Sequence, residues 1–285
     1  MVNQSKLKQI SLSSPEYPTE WKCLKDAPKT LWFTGNIHLL QKRKLTAVGS
    51  RRTPIHAIKI GTEIVKDVSQ AFVIVTGVAD GGDVAAIEGA LAGGGEVICV
   101  LAGGFSVLPQ NNLPLLRKVA KQGLIVSPHP FDTPVRAYSY EYRNKLLAML
   151  GEGTLVLGAG EKSGALITAK YAMEQNKPVF ALPYPPKSGV GDGCNALIKK
   201  GARLTETALD VLEAFGLQMP TPSKAVSLTQ EERSLFQALK ERGEAHISEL
   251  ATAINIPVYK VMALLSSLEV KGLTVAMGGN RYAAI

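Results

Sequence analysis

The sequence predicts an α/β fold built on a buried parallel sheet, followed by a smaller helical domain. Three short apolar runs, 45–48, 72–76 and 97–102, carry the first prediction, because glycine closes each run and a segment of helical period follows it. This βαβαβ pattern is typical of parallel strands buried on both faces. In such a sheet the ligand site lies beyond the carboxyl ends of the strands, where the glycine turns fall.

The composition limits the size and class of the protein. A chain of 285 residues with 46% apolar content has room for one full α/β domain and a small second one. The sequence has no run of 18 apolar residues and no apolar signal core at its start, so we expect a soluble, cytoplasmic protein without a membrane partner. The three cysteines are widely spaced and form no metal-ligand pattern, so we expect no metal and no cofactor.

The basic charge is concentrated ahead of the sheet. The formal net charge is +8, and residues 1–45 carry eight Lys or Arg against three Asp or Glu. This balance is compatible with a polyanionic partner, although most mildly basic proteins bind none. Residues 1–44 are expected to form a lead-in, loose at first and then an irregular aromatic segment packed on the edge of the main domain. Further strands are expected at 124–127, 154–158, 177–182 and 201–204.

The turn after the first strand has the chemistry of an anion site. Gly49 allows a tight turn, and Ser50, Arg51 and Arg52 then arrive at the start of a helix that Thr53 caps, with proline at its first position. Free amides and the positive end of the helix dipole favour a phosphate there, and the arginines add charge-assisted bonds. The alternative is that the glycine serves the turn alone and that the arginines are merely solvated.

Two later segments are further candidates for binding an anion. Ser163 and Gly164 lie at the start of a predicted helix, where a hydroxyl and backbone donors come together. The segment 138–145 mixes tyrosines with Arg143, Asn144 and Lys145, which together can offer stacking and phosphate contacts to a nucleic acid. The alternative is a helix start whose tyrosines pack on the sheet.

The end of the chain predicts a second domain. Residues 216–226 are expected to form a linker, and 227–285 a domain of three helices and a hairpin, which is the pattern of a winged helix-turn-helix. Thr229 and Glu232 form the capping box of its first helix, and Pro257 opens the third. Because Lys260 is the only basic residue within 256–268, we favour a protein contact or weak, non-specific DNA binding over groove reading.

Five motifs in order resemble the DNA-processing protein A (DprA/Smf) family of bacteria. The agreement extends over roughly residues 15–215, so the main domain is placed at 45–215. The matching motifs are Gly49-Ser50-Arg51, 77–91 beginning Gly-Val-Ala-Asp-Gly-Gly-Asp, Arg143-Asn144, Ser-Gly-Ala-Leu-Ile-Thr-Ala at 163–169 and Gly-Cys-Asn-Ala-Leu-Ile-Lys-Lys-Gly-Ala at 193–202. Departures from the family pattern, such as Thr76 for serine and Lys145 for a second arginine, mark a divergent member.

The resemblance implies an extended Rossmann-like parallel sheet domain with a C-terminal winged helix-turn-helix domain. It also implies a non-enzymatic mediator of DNA recombination that binds single-stranded DNA, forms homodimers and assists the loading of the recombinase RecA in DNA uptake. Lys199 and Lys200 join the expected site through their charge and their nearness to the last motif. The residues carried over by motif position are Gly49, Ser50, Arg51, Arg143, Asn144, Lys145, Ser163 and Gly164, with Arg52 beside them.

Two alternatives use the same glycine turns. One is a nucleotide-sensing pocket with the winged domain as its output. The other is an enzyme that cleaves the N-glycosidic bond of nucleotides, but the chain lacks the P-G-G-x-G-T-x-x-E pattern of such enzymes. Its nearby acids, Asp80, Asp83, Glu88 and Glu161, have no clear acid or base partner in sequence, and there is no P-loop.

Overall fold

The computed structural model describes residues 7–218 and 228–284. The chain divides into two compact units, Met1–Pro220 and Thr221–Ile285. Of the expected linker at 216–226, residues 219–226 lie outside the described part of the chain.

The first unit is built on one large sheet. Within residues 7–218 nine strands join in the order β1-β2-β6-β5-β4-β3-β7-β8-β9. From β6 to β9 across the sheet every pairing is parallel, and only the pairings of β1 with β2 and of β2 with β6 are antiparallel. The strands are β1 (Lys8–Ser11), β2 (Thr30–Gly35), β3 (Lys44–Gly49), β4 (Val73–Thr76), β5 (Val97–Val100), β6 (Leu124–Ser127), β7 (Thr154–Gly158), β8 (Val179–Ala181) and β9 (Arg203–Leu204).

Two groups of helices pack on this sheet and bury its apolar strands. The helices are α1 (Thr19–Lys22), α2 (Ile55–Val68), α3 (Gly82–Ala92), α4 (Leu113–Gln122), α5 (Ala137–Leu150), α6 (Ala165–Glu174), α7 (Asp192–Lys199) and α8 (Ala208–Ala214). In one group α2 packs against α3 and α8, and in the other α5 packs against α1 and α6. The strands β3 to β7 are buried almost throughout, which is the reason that they appear in the sequence as unbroken apolar runs.

The lead-in is more regular than the sequence predicts. Residues expected to be loose or irregular contain β1 and β2, and β2 extends the main sheet by pairing with β6. The ring of Trp21 is fully buried, and its Nε1 donates to the carbonyl of Leu146 at 2.9 Å. The Tyr17 hydroxyl, also buried, donates to the carbonyl of Pro28 at 2.7 Å. The lead-in therefore belongs to the α/β core.

The order of the strands creates a topological switch point. From β3 the chain proceeds through β4, β5 and β6 on one side of the sheet, and then returns to β7 on the other side of β3. The carboxyl ends of β3 and β7 meet where Gly49 is paired with Gly158. In open α/β sheets a crevice for ligands forms at this point.

The second unit has the elements of a winged helix-turn-helix. Its helices are α9 (Gln230–Arg242), α10 (Ile247–Ile254) and α11 (Val258–Val270), and its strands are β10 (Glu244–His246), β11 (Thr274–Gly278) and β12 (Arg281–Ala284). The strands join in the order β10-β12-β11, and β10 is an addition to the predicted hairpin. The predicted capping box is present: the amide of Thr229 donates to Glu232 Oε2 at 2.8 Å, and the Glu232 amide donates back to Thr229 Oγ1 at 3.2 Å.

Within the described residues no single helix is long and apolar enough to cross a membrane. Only α10 and α11 taken together pass that test of length and composition, and they are bent by 105° from one another.

Candidate functional site

A cleft of about 890 Å³ opens at the carboxyl ends of β3 and β7, at the switch point of the sheet. The turn after β3, the start of α5 and the turn before α6 all face it. Eight of the residues predicted from the sequence line this cleft: Gly49, Ser50, Arg51, Arg52, Arg143, Asn144, Ser163 and Gly164.

The turn after β3 touches the start of α3 through backbone atoms. A Cβ placed on Gly49 would lie 2.7 Å from the Cα of Gly82, and one placed on Gly82 would lie 2.3 Å from the Cα of Gly49. Real Cβ atoms do not approach so closely, so both positions need glycine. The Gly82 amide also donates to the carbonyl of Ser50 at 3.1 Å. The two turns therefore form one continuous wall of the cleft.

The backbone amides of the first turn bind partners within the protein. The Gly49 amide donates to Asp83 Oδ1 at 3.3 Å, and the Ser50 amide donates to the carbonyl of Gly158 at 2.7 Å. The Arg52 amide donates to the Ser50 hydroxyl oxygen at 3.1 Å. This corrects the expected cradle of free amides at these three positions, since the three donors are already used. The exposed side chains of Arg51 and Arg52 remain as groups that could bind an anion.

The helix after this turn begins one residue later than predicted. Pro54 is the N-cap of α2 and Ile55 is its first residue. Thr53 precedes the N-cap and does not cap the helix. Its hydroxyl instead donates to the carbonyl of Ser50 at 2.7 Å and closes the turn.

Asp83 is a buried carboxylate beneath the cleft. Its Oδ1 accepts from Gly49, and its Oδ2 accepts from the amide of Ala79 at 3.3 Å. Burial raises the pKa of Asp83 above its ordinary value, and the charge of Arg143 and the two amides act in the opposite direction. The carboxylate thus joins the turns that follow β3 and β4.

Arg143 is a buried cation on α5. Its Nη1 donates to the carbonyl of Val100 at 3.3 Å, and its Nε donates to Asn144 Oδ1 at 3.0 Å. Burial lowers the pKa of Arg143 from its ordinary value, while the charge of Asp83 acts to raise it. Asn144 in turn donates from Nδ2 to the carbonyl of Gly164 at 3.1 Å, which ties α5 to the start of α6.

Tyr140 lies between two guanidinium groups at the mouth of the cleft. The Cζ of Arg51 is 5.6 Å from the centre of its ring, and the Cζ of Arg143 is 5.9 Å from it. Both distances are those of cation–π contacts. Tyr140 is one of the tyrosines in the segment 138–145 that the sequence offers as stacking surfaces, and its position three residues before Arg143 puts the two on one helix face.

The turn before α6 forms the opposite wall. Gly164 is the N-cap residue of α6, and the Ser163 hydroxyl oxygen accepts from the amide of Ala165 at 3.3 Å. Lys162 also lines the cleft and is exposed. Lys162 was not among the residues predicted for the site, although a basic residue directly before Ser163 is a usable signal.

Three residues expected in the site lie elsewhere. Lys145 does not line the cleft, and its Nζ forms an ion pair with Asp26 Oδ1 at 2.6 Å. Lys199 and Lys200 are exposed at the carboxyl end of α7, whereas the first residue of that helix, Asp192, lines the cleft. The structure therefore brings the motifs together without these three cations.

The charges of the cleft are nearly balanced, and its exposed charged residues are Arg51, Arg52 and Lys162 against Glu161. Its described charged lining residues are Arg51, Arg52, Arg143 and Lys162 against Asp83, Glu161 and Asp192. Asp83 is buried beside Arg143, and Asp192 accepts from the amide of Gly189 at 3.1 Å. Across residues 7–218 and 228–284, no group of three His, Cys, Asp or Glu side chains is arranged to hold a metal ion.

The fold and the cleft together define a Rossmann-like α/β protein whose ligand crevice lies at the switch point of its sheet. The family model described as DNA recombination-mediator protein A matches residues 8–216. The chain belongs to this family, the DprA/Smf family.

Named relatives agree with this assignment. The chain is 35% identical over 212 residues to the DNA processing protein DprA of Streptococcus pneumoniae, covering 74% of this chain and 75% of that protein. It is 31% identical over 284 residues to the protein Smf of Escherichia coli, covering 95% of this chain and 76% of the relative.

A solved structure of DNA processing protein A from Helicobacter pylori, described for its single-stranded DNA binding mode, superposes with a TM-score of 0.67 at 27% identity. That match covers 74% of this chain and 95% of the other. The S. pneumoniae protein superposes with a TM-score of 0.70 at 34% identity, covering 73% and 74% of the two chains.

Proposed function

We propose that this protein is a non-enzymatic recombination mediator that binds single-stranded DNA in the cleft at the switch point. Membership of the recombination-mediator family and the described DNA binding of the H. pylori relative support this proposal. The observation that carries it is the pair of exposed arginines, Arg51 and Arg52, at the rim of a cleft whose walls hold Tyr140.

The contacts would be suited to a strand of any sequence. Guanidinium groups bind phosphates through charge-assisted hydrogen bonds, and the hydroxyls of Ser50 and Ser163 can donate to the same groups. An aromatic ring offers a stacking surface to every base. Neither kind of contact reads a base edge, so we expect affinity that depends on salt and little on sequence.

The test is fluorescence anisotropy with a labelled, mixed-sequence 30-mer, single-stranded and double-stranded, across a salt series. We expect preference for the single strand and a log–log slope of roughly −2, since three cations, Arg51, Arg52 and Lys162, each contribute about 0.7. Preference for the duplex would move the DNA contact to the winged unit, and no binding to either would contradict the proposal.

Arg51→Ala should weaken binding to all sequences alike and flatten the salt slope by roughly 0.7. The matched control is Arg117→Ala, because Arg117 is an exposed arginine on α4 that does not line the cleft. Equal effects of the two substitutions would show that the charge of the whole protein, rather than the cleft, governs binding.

The partner proteins form a further part of the proposal. A recombination mediator would help RecA to load onto single-stranded DNA, and this assistance is measurable as faster growth of RecA filaments on the strand. We also propose a homodimer, which light scattering after size-exclusion chromatography would detect as about twice the mass of the chain. Unchanged filament growth or a monomeric mass would contradict the corresponding part.

A nucleotide-sensing pocket is the competing use of the same cleft. Mononucleotide binding at micromolar concentration, without an effect on binding of the 30-mer, would favour it. If a mononucleotide instead competes with the strand, the two ligands share the cleft, and the DNA proposal stands.

A further inference from the structure

A groove of about 470 Å³ lies between α3 and α4, away from the cleft. Its floor is apolar, with Leu91 and Leu115 partly buried there and Ala92 beside them. α3 begins at Gly82, which contacts the turn after β3, and residues 88–92 of the same helix line the groove. At 1.5 Å per residue the groove is about 9–15 Å along the helix from that contact. Among the residues that the structure describes, none lines both the groove and the cleft.

Three exposed cations follow one another along α4 beside this groove. Lys118 and Lys121 line it, and Arg117 is their neighbour on the helix. The whole of α4 carries no acidic residue. Within residues 7–218 and 228–284, none of the three cations takes part in an ion pair. Like charges three or four residues apart repel one another on a helix, so an anion lying against α4 would relieve this repulsion.

We propose that this groove binds an acidic segment of a partner protein. An apolar side chain of the segment lies on the floor, and its carboxylates lie against the cations of α4. An apolar centre with charges at its rim is the arrangement of a protein interface, and complementary charge fixes the orientation of the partner. Glu88, the acid among the described lining residues, lies on α3 and directs the carboxylates towards α4. This proposal does not depend on the binding of DNA in the cleft.

The lining of the groove favours a protein over a nucleic acid. Its described lining residues include no aromatic ring, so the groove has no platform on which a base could stack. A sugar-phosphate backbone has no apolar group to cover Leu91 and Leu115, whereas an apolar side chain gains free energy by leaving water there. The cations alone would suit either partner, and the apolar floor decides between them.

The test is fluorescence anisotropy with a labelled decapeptide in which four aspartates flank two leucines. One matched peptide has asparagine for each aspartate, and another has serine for each leucine. We expect the full peptide to bind with a dissociation constant below about 1 mM and each matched peptide to bind roughly 5-fold or more weakly. No binding of the full peptide, or equal binding of either matched peptide, would overturn the proposal.

Charge reversal on α4 locates the site. Lys118→Glu combined with Lys121→Glu should weaken binding of the full peptide roughly 10-fold or more. The control is Lys25→Glu combined with Lys29→Glu, which changes the net charge equally at two exposed residues that line neither groove nor cleft. Glu88→Lys should strengthen binding roughly 2-fold to 5-fold, a gain that misfolding cannot produce. Equal losses in the two double variants, or no gain in Glu88→Lys, would overturn the assignment to this groove.

The single-stranded 30-mer distinguishes a protein partner from DNA on this face. The α4 double variant should bind the strand like its control, and the strand should not displace the peptide, because the groove and the cleft are separate. If the α4 double variant loses the strand as strongly as the peptide, or if the strand displaces the peptide, the face belongs to DNA and the proposal is overturned.

Discussion

Gly77 is the position at which a single added methyl group tests the buried charges under the cleft. It follows β4, and a Cβ on it would lie 2.0 Å from Arg143 Nη1 and 2.4 Å from Asp83 Oδ2. Arg143 is 5% exposed and Asp83 is 4% exposed, so neither side chain can turn away into water without rearranging its surroundings. Gly77→Ala must therefore separate or displace the two charges.

The expected cost follows from two effects. Overpacking a well-packed interior costs about 1–3 kcal/mol, and leaving a buried hydrogen-bonded group without its partner costs about 1–3 kcal/mol. Because displacing Arg143 and Asp83 strains their bonds to Val100, Asn144, Gly49 and Ala79, we expect a loss of about 2–5 kcal/mol in the free energy of unfolding. The affinity for single-stranded DNA should fall as well, since Arg143 lines the cleft.

Urea denaturation followed by tryptophan fluorescence measures the loss of stability of the α/β unit. The two tryptophans of the chain, Trp21 and Trp32, both lie in the α/β unit, so the signal does not report on the winged unit. The control is Gly164→Ala, where the nearest atom to an added Cβ is 3.6 Å away and the φ of −60° suits alanine. A loss below about 0.5 kcal/mol for Gly77→Ala, or one equal to that of the control, would refute the reasoning.

Three further predictions test other parts of the chain. Tyr17→Phe leaves the buried carbonyl of Pro28 unpaired and should cost the α/β unit about 1–3 kcal/mol in the same urea assay; no loss would contradict the place of the lead-in in the core. Hydrogen bonding to Lys271 lowers the pKa of Glu232 from 4.5 to about 2, so its contribution is present above about pH 5 and is lost as the pH falls towards 2. Hydrogen exchange of residues 228–284, corrected for the intrinsic rate, should show this loss in the wild type and not in Glu232→Gln. Lys145→Ala, which removes a cation outside the cleft, should leave the salt slope of DNA binding unchanged, and a flatter slope would extend the interface along α5 to Lys145.

The central sheet could be predicted because its strands are buried on both faces. The expected strands at 124–127 and 154–158 coincide with β6 and β7. A short apolar run bounded by glycine or polar residues leaves little choice of where the strand begins and ends. The strands β1, β2 and β10 were not predicted. The strands β1 and β10 are short, and β1 lies at the edge of its sheet. The partners of β2 and β10 come much later in the chain, in β6 and in the C-terminal hairpin.

The meeting of the glycine turns was predictable from the sequence, whereas the hydrogen bonds around them were not. The glycine turns lie at the carboxyl ends of parallel strands, so their meeting follows from the topology. The burial of Arg143 does not follow from its neighbours in sequence, because Asp83 and Val100 come from distant segments. The ion pair of Lys145 with Asp26 depends in the same way on how the lead-in packs against α5.

Backbone amides beside the cleft donate to Asp83, and this favours a polymer over a mononucleotide as the ligand. Sites that hold one nucleotide firmly surround its phosphates with several backbone amides, whose positions are fixed. Here Asp83 accepts from the amides of Gly49 and Ala79, and the donors available at the rim include the side chains of Arg51, Arg52 and Lys162 and the hydroxyls of Ser50 and Ser163. Long basic side chains follow a backbone that presents a phosphate at every nucleotide, and they need no single fixed geometry. We therefore expect the cleft to bind a strand in preference to a single phosphate group.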